Sequence, residues 1–362
     1  MGKALCTALI FAWLNLAQST GRPDVTEILA RPHVELEVLL ETGAHLADQD
    51  LFEPARAVFA RGVNDYPRSF EARYNLALAD FALGRFSEAQ AALNGAESLS
   101  ASQQLARQYL GGKIYDAMGQ TDAAEENLSA AFQRAPRQEN YGLDLGLHYL
   151  RRRSYAKAVT TFQTAAKYHP DSAFVGLGLG LAQVLGDDPA RAVATCRKIL
   201  AQDPNFAPAR LLLVAAFYMN GENEQCARET AVAIAQPDAH PYLHYLHAAS
   251  LMKTNSKDYT AMLRDLDAAN RGIPDCAFCY FAQSKVHQTL GDEAAAIADL
   301  ERLVSRVDPE FSQGWYRLAN LYQHSGRLED AAAALAKFRA IRTAQTDREA
   351  DYLRKVFLDA LK

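Results

Sequence analysis

Apolar residues along most of this chain recur every three or four positions, which is the spacing of one face of a helix and not of a strand. The pattern also repeats over a longer distance. The segment from Tyr155 to Ala165, followed by Pro170, recurs in altered form along the chain. Aligning the copies on Pro170 gives unit starts at Leu36, Phe70, Leu105, Glu139, Ala173, Ala207, Leu243, Ala277 and Ser312. The starts are 34 to 36 residues apart, so the sequence predicts nine helix–turn–helix repeats, numbered 1 to 9 below.

Three positions within the repeat have a fixed chemistry. The eighth residue, in the first helix (helix A), is small in every repeat except the sixth, which has Val214. The twentieth, in the second helix (helix B), is alanine except at Cys226 and Met262, although alanine makes up less than a fifth of the chain. Proline follows helix B at residues 67, 136, 170, 204, 274 and 309. Proline ends a helix because it cannot continue the hydrogen-bond ladder.

This pattern resembles the tetratricopeptide repeat family, whose unit is a helix–turn–helix of about 34 residues. The resemblance covers residues 36 to about 344, and repeat 9 keeps Trp315, Leu318, Ala319, Tyr322, Gly326 and Ala331 in register. It implies an all-α fold, a right-handed α-solenoid of about nine helix pairs. In this family a concave groove lined by helix A binds the ligand, and the ligand differs from member to member. We therefore expect a binding protein and not an enzyme.

The resemblance places groove side chains at about the second, fifth, ninth and twelfth residues of helix A. These positions in repeats 4 to 7 give Leu143, Leu147, Leu150, Phe174, Leu177, Leu181, Val184, Leu211, Tyr218, His244 and His247. An apolar band with polar flanks fits an extended or helical peptide with aliphatic or aromatic anchors. Two alternatives stay open: the same residues are buried against an adjacent helix, or the register is off by one.

Three sequence motifs have a chemical and a structural interpretation. The run from Gly176 to Gly180 is similar to a phosphate-binding glycine loop, but it lies inside a predicted helix, which favours close packing of small residues. His244 and His247 share a helix face and have the spacing of a metal site. No matched carboxylate or cysteine is identifiable in the sequence, which favours a solvated or stacked histidine pair. A polar, pH-responsive spot in the groove is a further alternative, and we predict no metal or cofactor.

Cys276 and Cys279 are expected in the first turn of a helix, with Asp275 as its N-cap. The spacing is that of redox dithiols, but the strand–helix context of those enzymes is missing. In an oxidising compartment the pair is expected to form a local disulfide, with free packed thiols or redox and metal chemistry as alternatives. Cys196 and Cys226 fall at buried helix B positions and are expected to be inert.

The two ends of the chain differ from the repeats. Lys3, an apolar run from Ala4 to Leu14 and the small-x-small site Ala17-Gln18-Ser19 are typical of a signal peptide. The predicted organisation is a signal peptide or N-terminal anchor at 1–19, a lead-in at 20–35, the solenoid at 36–344 and a capping helix at 345–362. The chain from Ala331 to Lys362 is predicted to continue as one long helix with a polar side that faces water.

Composition narrows the function further. The formal net charge of −5 gives no basic footprint for nucleic acid, and 49% hydrophobic residues suit a large buried core. We expect an exported, periplasmic or secreted scaffold that binds a protein or peptide, with membrane contact only through an uncleaved N-terminal segment. Alternatives are a substrate-recruiting subunit of an enzyme complex and a carrier of a small apolar ligand. The oligomeric state stays open.

Overall fold

The computed structural model describes residues 25–95, 99–236, 239–341 and 348–361, and over these residues it contains helices and no strand. This confirms the predicted all-α class. The predicted signal peptide, residues 1–19, lies outside the described residues. Contacts divide the chain into an N-terminal body, which comprises residues up to Arg153 with 167–169, and a C-terminal body, which comprises 154–166 and 170–361.

Twenty α-helices follow one another along the described residues. They are α1 (Val25–Ala30), α2 (Leu36–Ala47), α3 (Phe52–Asp65), α4 (Phe70–Ala82), α5 (Phe86–Asn94), α6 (Ala101–Ala117), α7 (Thr121–Arg134), α8 (Glu139–Arg151), α9 (Tyr155–Tyr168), α10 (Ala173–Leu185), α11 (Pro189–Gln202), α12 (Ala207–Met219), α13 (Asn223–Ala233), α14 (Pro241–Lys253), α15 (Tyr259–Gly272), α16 (Ala277–Thr289), α17 (Glu293–Arg302), α18 (Ser312–His324), α19 (Leu328–Ile341) and α20 (Arg348–Ala360). A π-helical turn at Leu303–Val307 extends α17. Helices α2 to α19 follow the predicted order of helices A and B. Consecutive helices pack side by side from α2 to α8 in the N-terminal body and from α10 to α19 in the C-terminal body.

Helix A begins at the predicted residue in seven repeats, because the local sequence marks the start. Ser69 and Ser172 are N-caps whose side-chain oxygens accept a backbone N–H from the first turn. Pro241 stands in the first turn of α14, where its missing N–H removes no intrahelical bond. Two repeats are exceptions, with the helices α14 and α6. Helix α6 starts at Ala101, four residues before the predicted start, and a capping box formed by Ser100 and Gln103 precedes it.

The turn between helices A and B contains one residue in the left-handed region. It is the fifteenth residue of eight repeats, namely Asp50, Gly84, Gly119, Arg153, Asp187, Gly221, Gly291 and Gly326. Glycine adopts this conformation without steric cost, so its recurrence at this position is a consequence of the turn geometry.

Repeat 7 has a different register from the one predicted. Its left-handed residue is Asn255, which is the fifteenth residue when the count starts at Pro241, where α14 begins. Helix α15 begins at Tyr259, four residues after Asn255, whereas helix B begins two residues after the left-handed residue in the other repeats. The turn is thus longer by two residues. The predicted start of this repeat at Leu243 is wrong by two residues, and the longer turn restores the register in helix B.

At the left-handed turn position we expect glycine to be more stabilising than aspartate, so exchanging the two residues in either direction should change the free energy of unfolding with opposite signs. Asp187 is exposed and has φ of 65°, so Asp187→Gly should raise the free energy of unfolding by roughly 0.5–1 kcal/mol, because glycine adopts positive φ more readily. Gly221→Asp, at the same position of the next repeat, should lower it by a similar amount. Denaturant midpoints of both variants measure this. Equal shifts of the same sign would contradict the assigned backbone conformation.

A C-terminal helix is present where a helix was predicted. Helix α19 is described to Ile341 and α20 from Arg348, and residues 342–347, through which one continuous helix was predicted, lie outside the described residues. Helix α20 packs against α10, a helix A that precedes it by more than 160 residues. Leu353 and Phe357, which share one face of α20, are buried, and so is Leu361, which directly follows the helix. The exposed residue Lys355 lies on the opposite side, so α20 is amphipathic as a docked helix must be.

Candidate functional site

The predicted groove residues of the N-terminal body are mostly buried. Leu147 is 5% exposed and Leu150 is fully buried, whereas Leu143 is partly buried. The expectation that Leu147 and Leu150 stand exposed as anchors is therefore wrong for this structure. Both side chains are core residues, which was one of the two alternatives.

The same correction applies to the predicted groove residues of the C-terminal body. Leu177 and Leu181 are fully buried, and Val184 and Leu211 are 1% and 5% exposed. Only Phe174, with 48% of its surface exposed, is open to solvent. Tyr218 is partly buried, with the Lys253 Nζ 3.8 Å from its ring centroid. Helix α20, whose inner side is apolar, packs on α10, the helix that carries Leu177, Leu181 and Val184.

We call the second, fifth, ninth and twelfth residues of the first helix in repeats 5 to 8 the helix A face. The register found for repeat 7 places Tyr242 and Tyr245 at its second and fifth positions, and Phe278 is the second residue of repeat 8. These three rings form one cluster. The Tyr245 and Phe278 centroids are 4.5 Å apart, and Tyr242 lies 5.5 Å from Tyr245.

Helix α20 contributes a fourth ring to this cluster. The Tyr352 centroid lies 5.2 Å from that of Tyr242 and 5.5 Å from that of Phe278. Aromatic pairs at such distances stabilise by about 0.5–1.5 kcal/mol beyond the area that they bury. The helix A face of the C-terminal body therefore holds an amphipathic helix through an aromatic cluster at one end and α10 at the other.

His244 and His247 do not line the helix A face. Both turn to Asp265 of α15, the second helix of their own repeat, with Nδ1 to carboxylate distances of 3.2 and 2.6 Å. In the corrected register the repeat begins at Pro241, so the two histidines are no longer its second and fifth residues. Asp265 is 1% exposed and also lies 3.4 Å from Arg264. A carboxylate can only accept hydrogen bonds, so its partners act as donors.

The electrostatics of Asp265 follow from these contacts. Burial alone would raise the pKa of its carboxyl group, but hydrogen bonds from His247, His244 and Arg264 outweigh burial and lower that pKa. The group thus stays ionised inside the repeat. An equivalent aspartate occurs one repeat later: Asp299 lies 2.8 Å from His287. Its pKa is raised, because burial and the neighbouring Asp267 and Asp292 outweigh its one histidine partner.

A surface cavity of about 350 Å³ lies beside this histidine pair. Its walls are Ala231, Ile234, Ala235, His244, His247, Arg264 and Asp265. Both carboxylate oxygens of Asp265 accept hydrogen bonds from the two histidines, so they hold α14 and α15 together. In the described part of the chain no group of three His, Cys, Asp or Glu side chains has the arrangement of a metal site. The pair is therefore best understood as a link between α14 and α15.

Cys276 and Cys279 lie close enough to form a disulfide, with their Cα atoms 5.3 Å apart and their sulfurs at bonding distance. Both residues are buried. The predicted N-cap is wrong: Cys276 itself precedes α16, and Asp275 stands one residue earlier with φ of 53°.

The disulfide should be detectable by counting reactive thiols in the unfolded chain. In denaturant without reductant, alkylation of the protein should modify Cys196 and Cys226 but not Cys276 or Cys279. Intact mass should rise by two further adducts after reduction. Cys276→Ser is the control, since it should leave Cys279 reactive without reductant. Four or more adducts on the unreduced wild-type chain would show that the pair is free.

The two remaining described cysteines behave as core residues. Cys196 and Cys226 are fully buried, and burial raises the pKa of each thiol to about 12. A thiol that stays protonated is a poor nucleophile. This agrees with the prediction that both are inert.

Sequence reasoning missed the residues that matter most on the helix A face, namely Tyr242, Tyr245, Phe278 and Tyr352. A signal for the first two was present. Asn255 is a residue type that tolerates the left-handed conformation, and counting back from it to the start of the repeat gives Pro241. No local signal pointed to Tyr352, because its neighbours come from distant helices.

Comparison with known proteins agrees with this architecture. Two family models, each described as a tetratricopeptide repeat, match residues 143–208 with 281–345 and residues 186–249. Tetratricopeptide repeat protein 37 of Xenopus laevis is 26% identical over 216 residues, which are 58% of this chain and 14% of that protein.

Two solved structures share the fold at low identity. A tetratricopeptide repeat protein from Parabacteroides merdae superposes with a TM-score of 0.51 at 14% identity, over 70% of this chain and 98% of that one. The human IFIT1 dimer with m7Gppp-AAAA gives 0.50 at 11% identity, over 93% and 83%. Residues 143–249 and 281–345 of this chain are thus recognised as tetratricopeptide repeats. Repeats of this family are generally scaffolds without catalytic activity, and their fold suits protein–protein interaction.

Proposed function

We propose that this protein is an exported scaffold that binds a protein or peptide partner on the helix A face of its C-terminal body. The observation that carries the proposal is the packing of α20 on α10, with Tyr352 set among Tyr242 and Phe278. This face accepts the apolar side of an amphipathic helix. Aromatic residues clustered at the centre of a contact surface supply much of the binding energy in protein complexes.

The charge of the chain favours a protein or peptide over a nucleic acid. The formal net charge is −5, whereas nucleic-acid binding needs a concentrated positive surface for phosphates. No helix within the described residues has the length and apolar character needed to cross a bilayer. These properties support a scaffold that meets its partner through side-chain packing.

Two features support export. Residues 1–19 have the n-region, apolar run and small-x-small site of a signal peptide. The spacing of Cys276 and Cys279 allows a disulfide, which persists in oxidising compartments such as the periplasm or the cell exterior. N-terminal sequencing of the protein from its native host should start near Gln18 or Thr20. An intact Met1 on a soluble cytoplasmic form would contradict export.

The binding surface can be tested by photo-crosslinking in the native host. A photoreactive amino acid at Phe174, the exposed end of the helix A face, should capture a specific partner. The matched control is the same amino acid at Leu328, which is 66% exposed but lies on a helix B. Mass spectrometry of the crosslinked species identifies the partner. Capture at Leu328 alone, or at neither position, would contradict the proposed binding face.

A further inference from the structure

We infer that α20 is a built-in, displaceable occupant of the helix A face, and that the partner is an amphipathic helix with the same apolar spacing. This inference rests on the proposed function, because it states what competes for the same face and what chemistry the partner needs. In this inference α20 covers a side of α10 that the repeats themselves leave open.

Two sides of α10 are assigned by its three glycines. A Cβ on Gly176 or Gly180 would lie 3.0 Å from Ile199 of α11 or Leu212 of α12. A Cβ on Gly178 would lie 2.5 Å from Phe162 of α9. Successive side chains rotate by about 100° around a helix, so Leu177 and Leu181 point roughly 60–140° away from both of these contacts. They belong to a separate side.

That separate side carries Leu177, Leu181 and Val184, all fully or almost fully buried. In the C-terminal body, α20 also packs against α10. The exposed residue of the same side, Phe174, stands at its outer end. We assign the burial of this side to α20. The sequence predicted an open apolar band at these positions, and the structure supplies its occupant from the same chain.

The apolar side of α20 indicates the chemistry that a partner needs. Leu353, Phe357 and Leu361 are spaced four residues apart and are buried, whereas Lys355 between them is exposed. Tyr352, next to this stripe, reaches the rings of Tyr242 and Phe278. A partner that replaces α20 must present a helix with aliphatic or aromatic residues at this spacing and an aromatic residue at its N-terminal end.

A tethered segment has an effective concentration of roughly the millimolar range, so it excludes free ligands of similar intrinsic affinity. The apparent affinity of a partner is reduced by the fraction of molecules whose face is open. Releasing α20 should therefore increase binding of an external helix without any change in the face itself.

The test uses a fluorescent peptide with the sequence of residues 348–362 and the full-length protein. Phe357→Glu places a charge on the buried stripe of α20 and should release it. The matched control, Lys355→Glu, introduces the same glutamate side chain at an exposed position of the same helix. We expect the Phe357→Glu protein to bind the peptide at least about 10-fold more tightly than the wild-type and Lys355→Glu proteins, as measured by anisotropy.

Two further measurements make the outcome decisive. Circular dichroism and thermal melting of Phe357→Glu should show the repeats folded, and Tyr352→Glu, at the other end of α20, should reproduce the gain if the first variant melts early. Adding Phe278→Glu to the released protein should abolish peptide binding. Equal peptide affinity in folded wild-type and released proteins would overturn the inference, as would a wild-type dimer that the peptide separates, since α20 would then be exchanged between two copies.

The peptide assay needs no natural partner, so it fails or succeeds independently of the proposed function. If crosslinking at Phe174 captures a partner while the released proteins gain no peptide binding, the scaffold function stands and the occupant inference is wrong. If the peptide binds the released protein but no partner is captured, the proposed function is wrong.

Discussion

Replacing Phe162 with alanine should lower the free energy of unfolding by about 3–5 kcal/mol. The side chain is fully buried, so its truncation removes apolar contacts and leaves a cavity in the core. Its ring lies against Gly178 of α10, where a Cβ would be 2.5 Å away. The contact therefore joins helix B of repeat 4 to helix A of repeat 5. A solenoid depends on such contacts between neighbouring repeats, so the loss should lower the melting temperature by roughly 10 °C.

The matched control is Tyr168→Ala on the same helix, where the aromatic side chain is 44% exposed. It should cost less than about 1 kcal/mol. The reciprocal change, Gly178→Ala, should cost roughly 1–3 kcal/mol by overpacking. Adding Phe162→Leu to Gly178→Ala should recover part of that loss, since the smaller side chain leaves space for the methyl group. Strict additivity of the two changes would show that the residues do not meet as described.

Replacing Asp265 with asparagine should lower the free energy of unfolding at neutral pH by about 2 kcal/mol, because it weakens charge-assisted hydrogen bonds to His247 and His244. The folded-state pKa of Asp265 lies below its unfolded value. Its ionisation therefore contributes stability above the unfolded pKa of about 4, and this stability is lost as the pH falls through the lower folded pKa. The variant should lack that part of the acid-induced loss, so the two stability curves should converge at low pH.

Asp299→Asn, at the equivalent position of repeat 8, is the control with the opposite sign. The folded pKa of Asp299 is raised, so its contribution is present below the unfolded pKa and lost as the pH rises through the folded pKa. Relative to wild type, this variant should gain stability as the pH rises from about 3 to 6. Urea unfolding of both variants over this range measures the two slopes. Slopes of the same sign would contradict the assigned environments of the two carboxyl groups.

The residues of the aromatic cluster show which positions the sequence pattern predicted correctly and which it did not. Phe278 stood at a predicted second position, in a repeat whose helix A begins at the predicted residue. Tyr242 and Tyr245 were displaced by two residues because the alignment assumed a turn of constant length. His244 and His247 took their place in the prediction, and the structure instead pairs both with Asp265.

The repeat itself was determined by the sequence alone. Small residues at the eighth position, alanine at the twentieth and proline after helix B each act within one helix pair or its nearest neighbour, so their spacing predicted nine pairs, and seven starts of helix A agree to the residue. The glycine run of repeat 5 likewise predicted close packing, which Gly176, Gly178 and Gly180 show against three neighbouring helices.

Only the tertiary structure decided where α20 lies. Its sequence shows an amphipathic helix, and an apolar stripe specifies that a partner surface is needed but not which one. The surface that it contacts is assembled from α10, α14 and α16, whose residues are between about 60 and 190 positions earlier in the chain. Leu177 and Leu181 lie on α10, and in the tertiary structure both are buried, although the pattern of the sequence predicted an open apolar band there.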